Sequence, residues 1–168
     1  ILNHFKRNSS FGIIGVAGSR YMPSSGKWWE DFNKMHGAVY HEHEGKRWLS
    51  RYSTDIGNSL DEVLLVDGLF FGINKENIKN TFNEDVRGFH FYDVDFSFSN
   101  YLAGTKVGVC TDIKITHLSI GMTNDEWEKN RVLFAEKYSE SLPVKINRTL
   151  RKKEKLNILI GCLNFNDY

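Results

Sequence analysis

Asp93-Val94-Asp95-Phe96-Ser97-Phe98-Ser99-Asn100-Tyr101-Leu102-Ala103-Gly104-Thr105-Lys106-Val107-Gly108-Val109-Cys110 holds the two elements whose order decides the fold class. Val94, Phe98, Tyr101 and Leu102 fall on one helical face, and Gly104 stands where a helix C′ residue would. Carboxylates at the front suit a helix N-terminus. The pattern predicts a helix of about ten residues starting at Asp93. Lys106 to Cys110 then reads as a strand. Over Phe89 to Phe98 the aromatics also alternate as a strand's would, and the strand that follows Gly104 within two residues decides for a helix from Asp93.

Working outward, Phe11-Gly12-Ile13-Ile14-Gly15-Val16-Ala17-Gly18 is a short apolar run whose length and β-branched content favour a buried strand. Ser19 to Trp29 is a loop by its Pro, Gly and Ser, and it presents Trp28 and Trp29 side by side. Residues 36–53 are polar and His-rich, and read as short strands or a surface excursion. Glu62 to Val66 is a strand running into Asp67-Gly68 and then Leu69 to Asn74. Asn77 to Asn80 suits one helical turn, and Ile113 to Leu118 alternates as a strand. Asn124-Asp125-Glu126-Trp127 has N-cap chemistry and opens a second helix ending before Pro143. Together these predict an α/β fold: a mixed β-sheet with flanking helices.

Composition narrows the function classes. The chain has 168 residues, 40% of them apolar and 26% charged, enough to bury a core and unlike a disordered segment. Its formal charge of +1 gives no global electrostatic case for nucleic acid or a membrane surface. No apolar run is long enough for a transmembrane segment, and no secretory leader is visible at the start. Cys110 and Cys162 each lie in an apolar run and read as buried thiols of a cytoplasmic protein rather than a disulfide or metal site. Arg148 to Lys155 reads as a basic linker (148–155), and Leu156 to Phe165 as an opening strand. The expected organisation is therefore a domain over 1–147, the linker, and over 156–168 the truncated first strand of a following domain, the whole being a fragment of a longer polypeptide.

Four sets of residues could carry chemistry. Asp93 and Asp95, at i and i+2, can share a cation or divide into a base and an orienting group, and the aromatics around them would raise a carboxyl pKa toward useful base strength. D-x-D alone also suits a helix cap. His41-Glu42-His43-Glu44 offers four potential ligands, but lacks partners at zinc-site spacing and borders the turn Gly45-Lys46-Arg47; it reads as solvated surface, apart from Asp93 and His117 and without metal. His117 ends an apolar strand and suits either a core histidine or a ligand. Trp28, Trp29 and Trp48 suit a sugar-stacking platform as well as they suit core.

The order of these pieces resembles the C-terminal half of an inverting, GT-A-type family 2 glycosyltransferase. The matching stretches are Gly12 to Gly18, Val66-Asp67-Gly68-Leu69-Phe70-Phe71, Phe82-Asn83-Glu84 leading into Phe91-Tyr92-Asp93-Val94-Asp95, Gly104-Thr105-Lys106-Val107 and Ile115-Thr116-His117. The resemblance implies a partial GT-A fold and places the catalytic base at Asp93, although Tyr92 stands where the family has Glu. It matches Asp95 to the second acidic position, puts Asp67 and Gly68 beside donor and acceptor, and makes His117 a candidate metal ligand.

The same resemblance implies a nucleotide-sugar donor, a glycan or other hydroxyl acceptor, and bacterial surface polysaccharide synthesis. It also implies a divalent cation, Mg or Mn, bound only when the nucleotide-binding half is present. That half should precede Phe11, so the fragment alone is expected to be inactive. It is also expected to self-associate through the edges of Ile13 to Val16 and Val63 to Val66. The competing reading is a non-catalytic, aromatic-rich glycan-binding or interaction module using Trp28, Trp29 and Trp48. A zinc hydrolase built on His41, Glu42 and His43 is the third.

Overall fold

The computed structural model describes residues 1–52, 60–118, 121 and 123–146. The basic linker, the strand expected from Leu156 and the thiol of Cys162 lie outside the described residues. Within them, the mixed α/β architecture is the expected one.

The first sheet has four strands in the order β6-β9-β1-β8: β6 (Leu60–Val63), β9 (Lys106–Cys110), β1 (Phe11–Gly15) and β8 (Phe71–Ile73). β1 runs parallel to β9 and antiparallel to β8, with Ile14 opposite Gly108 on one side and Gly72 on the other. The second sheet has the order β10-β4-β2-β7: β10 (Thr116–His117), β4 (Met35–His43), β2 (Ala17–Ser19) and β7 (Leu65–Val66), with β5 (Lys46–Arg51) paired to β4. A small pair joins β3 (Tyr21–Met22) to β11 (Val144–Lys145).

The two large sheets are made by the same two chain segments. The apolar run from Phe11 is one strand in the first sheet and, after Val16, another in the second; the segment from Leu60 changes sheets at Leu64 in the same way. Each predicted strand was thus real but bent. Ile13 and Ile14 pair on both sides within the chain, which corrects the expectation of a bare edge there, whereas Val63 and Leu65–Val66 lie in the terminal strands β6 and β7 and pair on one side only.

Strand alternation sorts the core. Ile13, Val107 and Val109 face Phe96 of α2 (Tyr92–Leu102), while Ile14 and Cys110 face the other way, toward Phe5 of α1 (Leu2–Arg7) and Ile113. Val94 and Phe98, one turn apart on α2, turn toward Trp127 and Phe134 of α3 (Asp125–Lys137). Helix α2 is therefore wedged between sheet and helix, which explains why its sequence is apolar on more than one face. Burying Phe96 and Phe98 contributes roughly 2–3 kcal/mol each.

Predicted boundaries held for both long helices. Gly104 has φ +90° just past the α2 C-cap, and the Asn124 side chain accepts from the Trp127 N–H at 2.8 Å, as an N-cap should. The expected helical turn at Asn77 is a plain turn, and the strand expected over 113–118 is only the two-residue β10. The described part of the polar stretch forms the long β4–β5 hairpin, residues 35–51. Its burial is confined to one end, so hydropathy carried little of that signal.

Candidate active site

Asp67 follows β7, and Asp93 lies in the first turn of α2. Two side chains hold these elements together. Ser97 Oγ accepts from the Val66 N–H at 3.1 Å and donates to the Asp93 carbonyl at 2.7 Å, pinning the helix to the strand end. The Gly68 N–H donates to Asp93 Oδ2 at 2.5 Å. A Cβ at Gly68 would stand 2.7 Å from Tyr92 Oη and 2.9 Å from Asp93 Oδ2, so only glycine allows this approach.

The entry to α2 is strained. Phe91, its N-cap, has φ +69°, a conformation that costs a bulky residue roughly 1–3 kcal/mol. Packing holds it there: the Phe91 ring lies 5.5 Å from Trp127 and 5.6 Å from Phe134, and the residue is buried. Asn130 donates to the Arg87 and His90 carbonyls and fixes the loop that leads in.

Burial pushes the Asp93 carboxyl up to about 6, reinforced by the charge of Asp67 and opposed by the N–H groups of Val94, Gly68 and Asp93 itself. Asp67 is also raised, first by burial; its own Leu69 N–H, 2.9 Å from Oδ1, and then His117 and His41 pull it back. Burial, Asp93 and Asp67 likewise raise the Tyr92 phenol. Two part-buried carboxyl groups whose charges oppose each other hold their protons unequally, the arrangement from which an acid and a base can be made.

His117 belongs to this group, being coupled electrostatically to Asp67. So does His41, which corrects the expectation that its run lies apart. Parallel pairing of β10 with β4 sets His117 directly opposite His41, with ring centroids 5.6 Å apart. The sequence hid this because the two residues meet only through a two-residue strand. Glu42, His43 and Glu44 are exposed, as expected.

The remaining candidates go elsewhere. Asp95 is 2% exposed; its carboxylate accepts from Lys137 Nζ at 2.8 Å and Tyr138 Oη at 2.9 Å, on the side of α2 away from Asp93. Trp28 is 5% exposed and belongs to the core, so of the pair only Trp29 shows a face to solvent, beside Trp127. The aromatics near Asp93 are others: Phe82 and Phe89, both exposed, whose rings lie 6.3 and 6.1 Å from Tyr92. Exposed Phe70 follows the Gly68 turn, and exposed Trp48 stacks on His41.

Among the described residues one trio of metal-ligating types has donor atoms all within 4.8 Å of one another: His4, Cys110 and Asp112. His4 Nε2 lies 2.7 Å from Asp112 Oδ1, tying α1 to the end of β9, and burial pushes the Cys110 thiol up to about 11.

The sequence model of the glycosyltransferase-like family matches residues 1–138. The chain belongs to that family. No curated protein matches it significantly in sequence. The family model spans β1, the Asp67-Gly68 turn, Asp93 and His117, so these residues all lie within the matched domain. No helix among the described residues is long and apolar enough to cross a membrane.

Proposed function

We propose that this chain carries the acceptor-side catalytic residues of an inverting glycosyltransferase, with Asp93 as the general base. The observation that carries the reading is the Asp93 carboxylate itself: it stands at a helix N-terminus, 2.5 Å from the Gly68 N–H, with its pKa raised to about 6 by burial and by Asp67. A base poised just below neutral pH is ionised in use yet basic enough to accept a proton.

In this reading an acceptor hydroxyl loses its proton to Asp93 as its oxygen forms a bond to the anomeric carbon. The bond from that carbon to the nucleoside diphosphate breaks on the opposite face. The Gly68 N–H, on Oδ2, orients the carboxylate. Asp67 raises the basicity of Asp93 through its charge. Phe82, Phe89 and Phe70 offer exposed ring faces on which apolar sugar faces stack. A GT-A-type arrangement, a nucleotide-sugar donor, a glycan acceptor and a cytoplasmic role in bacterial surface polysaccharide synthesis complete the proposal, on the strength of the motif order.

A divalent cation fits the site in its chemistry: His117 is electrostatically coupled to Asp67, and imidazole and carboxylate together form an ordinary divalent-ion donor set. When bound, the cation would supply charge neutralisation for the leaving diphosphate.

The test is sugar transfer by the full-length polypeptide with Asp93→Asn. Transfer should collapse while donor binding persists. The exposed aromatics also suit a glycan-binding module, which would keep its glycan affinity in the same variant and show no transfer in the wild type.

A further inference from the structure

A cavity of about 730 Å³ lies along the side of α2 that carries Asp95. Its size is within the roughly 300–1,000 Å³ of small-ligand sites. Asp95, Ser99, Leu102 and Ala103, at i, i+4, i+7 and i+8, line it from one face of the helix. Segment 80–84 forms another wall, and the end of α3 adds Lys137 and Tyr138. The wall is set in advance. Asn100, fully buried, accepts from the Lys79 and Asn80 N–H groups at 2.7 and 3.0 Å and donates to the Asn80 carbonyl at 3.1 Å.

Phe82 gives this wall a platform. Its ring stacks on Phe96 with centroids 4.1 Å apart and planes 18° apart, so one face is pinned while the residue stays 45% exposed. An aromatic ring held on one face and open on the other suits the apolar face of a sugar. Hydrogen-bonding groups stand near it. Lys137 Nζ lies 2.8 and 3.0 Å from the two Asp95 oxygens, and an ammonium has three N–H groups, so at least one is left for a ligand hydroxyl. Exposed Glu84 offers a carboxylate that accepts from hydroxyls. The charged side chains of the cavity are therefore two carboxylates against one ammonium, a balance that disfavours phosphate and carboxylate ligands.

We infer that this cavity is a subsite for a neutral sugar unit of a glycan, separate from the point of transfer beside Asp93. Phe82 joins the two places, since its ring also lies 6.3 Å from that of Tyr92, the residue before Asp93. A glycan that reaches the base along Phe82 is recognised by a second unit in the cavity. The inference rests on the glycosyl-transfer reading and deepens it by naming the acceptor class, a neutral rather than an acidic glycan.

Saturation-transfer NMR on the full-length polypeptide, without any sugar nucleotide, tests it. Maltotriose, cellotriose and mannotriose serve as neutral probes and trigalacturonate as the acidic one. At least one neutral probe should bind, and trigalacturonate should not. Ala103→Trp, which fills the cavity from the C-terminal end of α2, and Phe82→Ala should each weaken that binding about fivefold or more. Ala103 is exposed, so the larger side chain is compatible with the fold, which circular dichroism checks. Trp29→Ala, at the exposed indole beside Trp127, should bind as wild type does. Silence from all three neutral probes would overturn the proposal, as would equal binding of trigalacturonate or unchanged affinity in Ala103→Trp. A loss confined to Trp29→Ala would place the glycan there and overturn it too. If the cavity binds no glycan while transfer still depends on Asp93, the subsite is wrong and the glycosyltransferase reading stands. If the cavity binds while Asp93→Asn transfers normally, the base is wrong and the subsite stands.

Discussion

The backbone N–H of Gly68 donates to Asp93 Oδ2 at 2.5 Å, across the junction between a strand end and a helix start. The contact binds two segments of the chain that each carry one carboxylate, Asp67 and Asp93. It exists because residue 68 has no Cβ, because Ser97 ties α2 to β7, and because Phe91 accepts a left-handed backbone to turn the chain into the helix.

Gly68→Ala should therefore act as a displacement of Asp93. The added methyl meets Tyr92 Oη and Asp93 Oδ2 inside van der Waals distance, so the carboxylate must move. A shift approaching an ångström costs about 10²-fold in rate. Steady-state kinetics should show the loss mainly in kcat, with a melting temperature within a few degrees of wild type. Wild-type kcat would mean that the Gly68 contact does not position the base.

The pH dependence of transfer follows from the same carboxyl. With Asp93 raised to about 6, kcat/KM should climb through an acid limb near pH 6 and level off above it. Stability runs the opposite way. The folded pKa lies above the unfolded value of 3.8, so between them the native state binds more protons. The stabilising contribution is full below pH 3.8 and is lost as pH rises through 6. Ionised Asp93 thus costs the fold roughly 1–3 kcal/mol at neutral pH, allowing for partial exposure. Urea unfolding should show Asp93→Asn more stable than wild type at pH 8, with the difference vanishing near pH 4. An Asn variant less stable than wild type at pH 8 contradicts this.

Asp95 separates structure from chemistry within one helix turn. Its buried carboxylate holds Lys137 and Tyr138, so Asp95→Ala should cost about 3–5 kcal/mol by denaturant unfolding. Asp95→Asn, which keeps an acceptor for Tyr138, should lose less stability and retain transfer within about tenfold, the scale of lost positioning rather than of lost proton transfer. A loss in Asp95→Asn equal to that of Asp93→Asn would make the two carboxylates a functional unit.

Asp61 gives a purely structural contrast. It receives His36 Nε2 at 2.7 Å and Arg20 at 3.1 Å, linking β4 and the β2–β3 segment to β6. Asp61→Ala should lower stability by about 2–4 kcal/mol and leave the activity per folded molecule unchanged. Chemical denaturation with active-site titration separates the two.

Much of the frame was legible because local rules agree there. The Asp93 helix, its Gly104 terminus, the Lys106–Cys110 strand and the Asn124 cap each combine periodicity with end chemistry. Asp67, Gly68 and Asp93 were legible as a group through motif order. Illegible were features created by pairing between distant strands. His41 joined the cleft through a register that no local pattern encodes, and Trp48 followed it. Asp95 shared a motif with Asp93, but a helix turns residues two apart to opposite sides. Trp28 and Trp29 looked equivalent in sequence; packing against α3 buried one and left the other on the surface.

The central claim, that Asp93 is the base, is tested most directly by single-turnover sugar transfer in the full-length polypeptide with Asp93→Asn, alongside donor binding measured by calorimetry. The isosteric amide keeps the Gly68 contact and removes the proton acceptor. The account predicts a rate lower by about 10²–10⁴, the range for lost general-base catalysis, with donor affinity unchanged within a factor of about three. Transfer at near wild-type rate would contradict it.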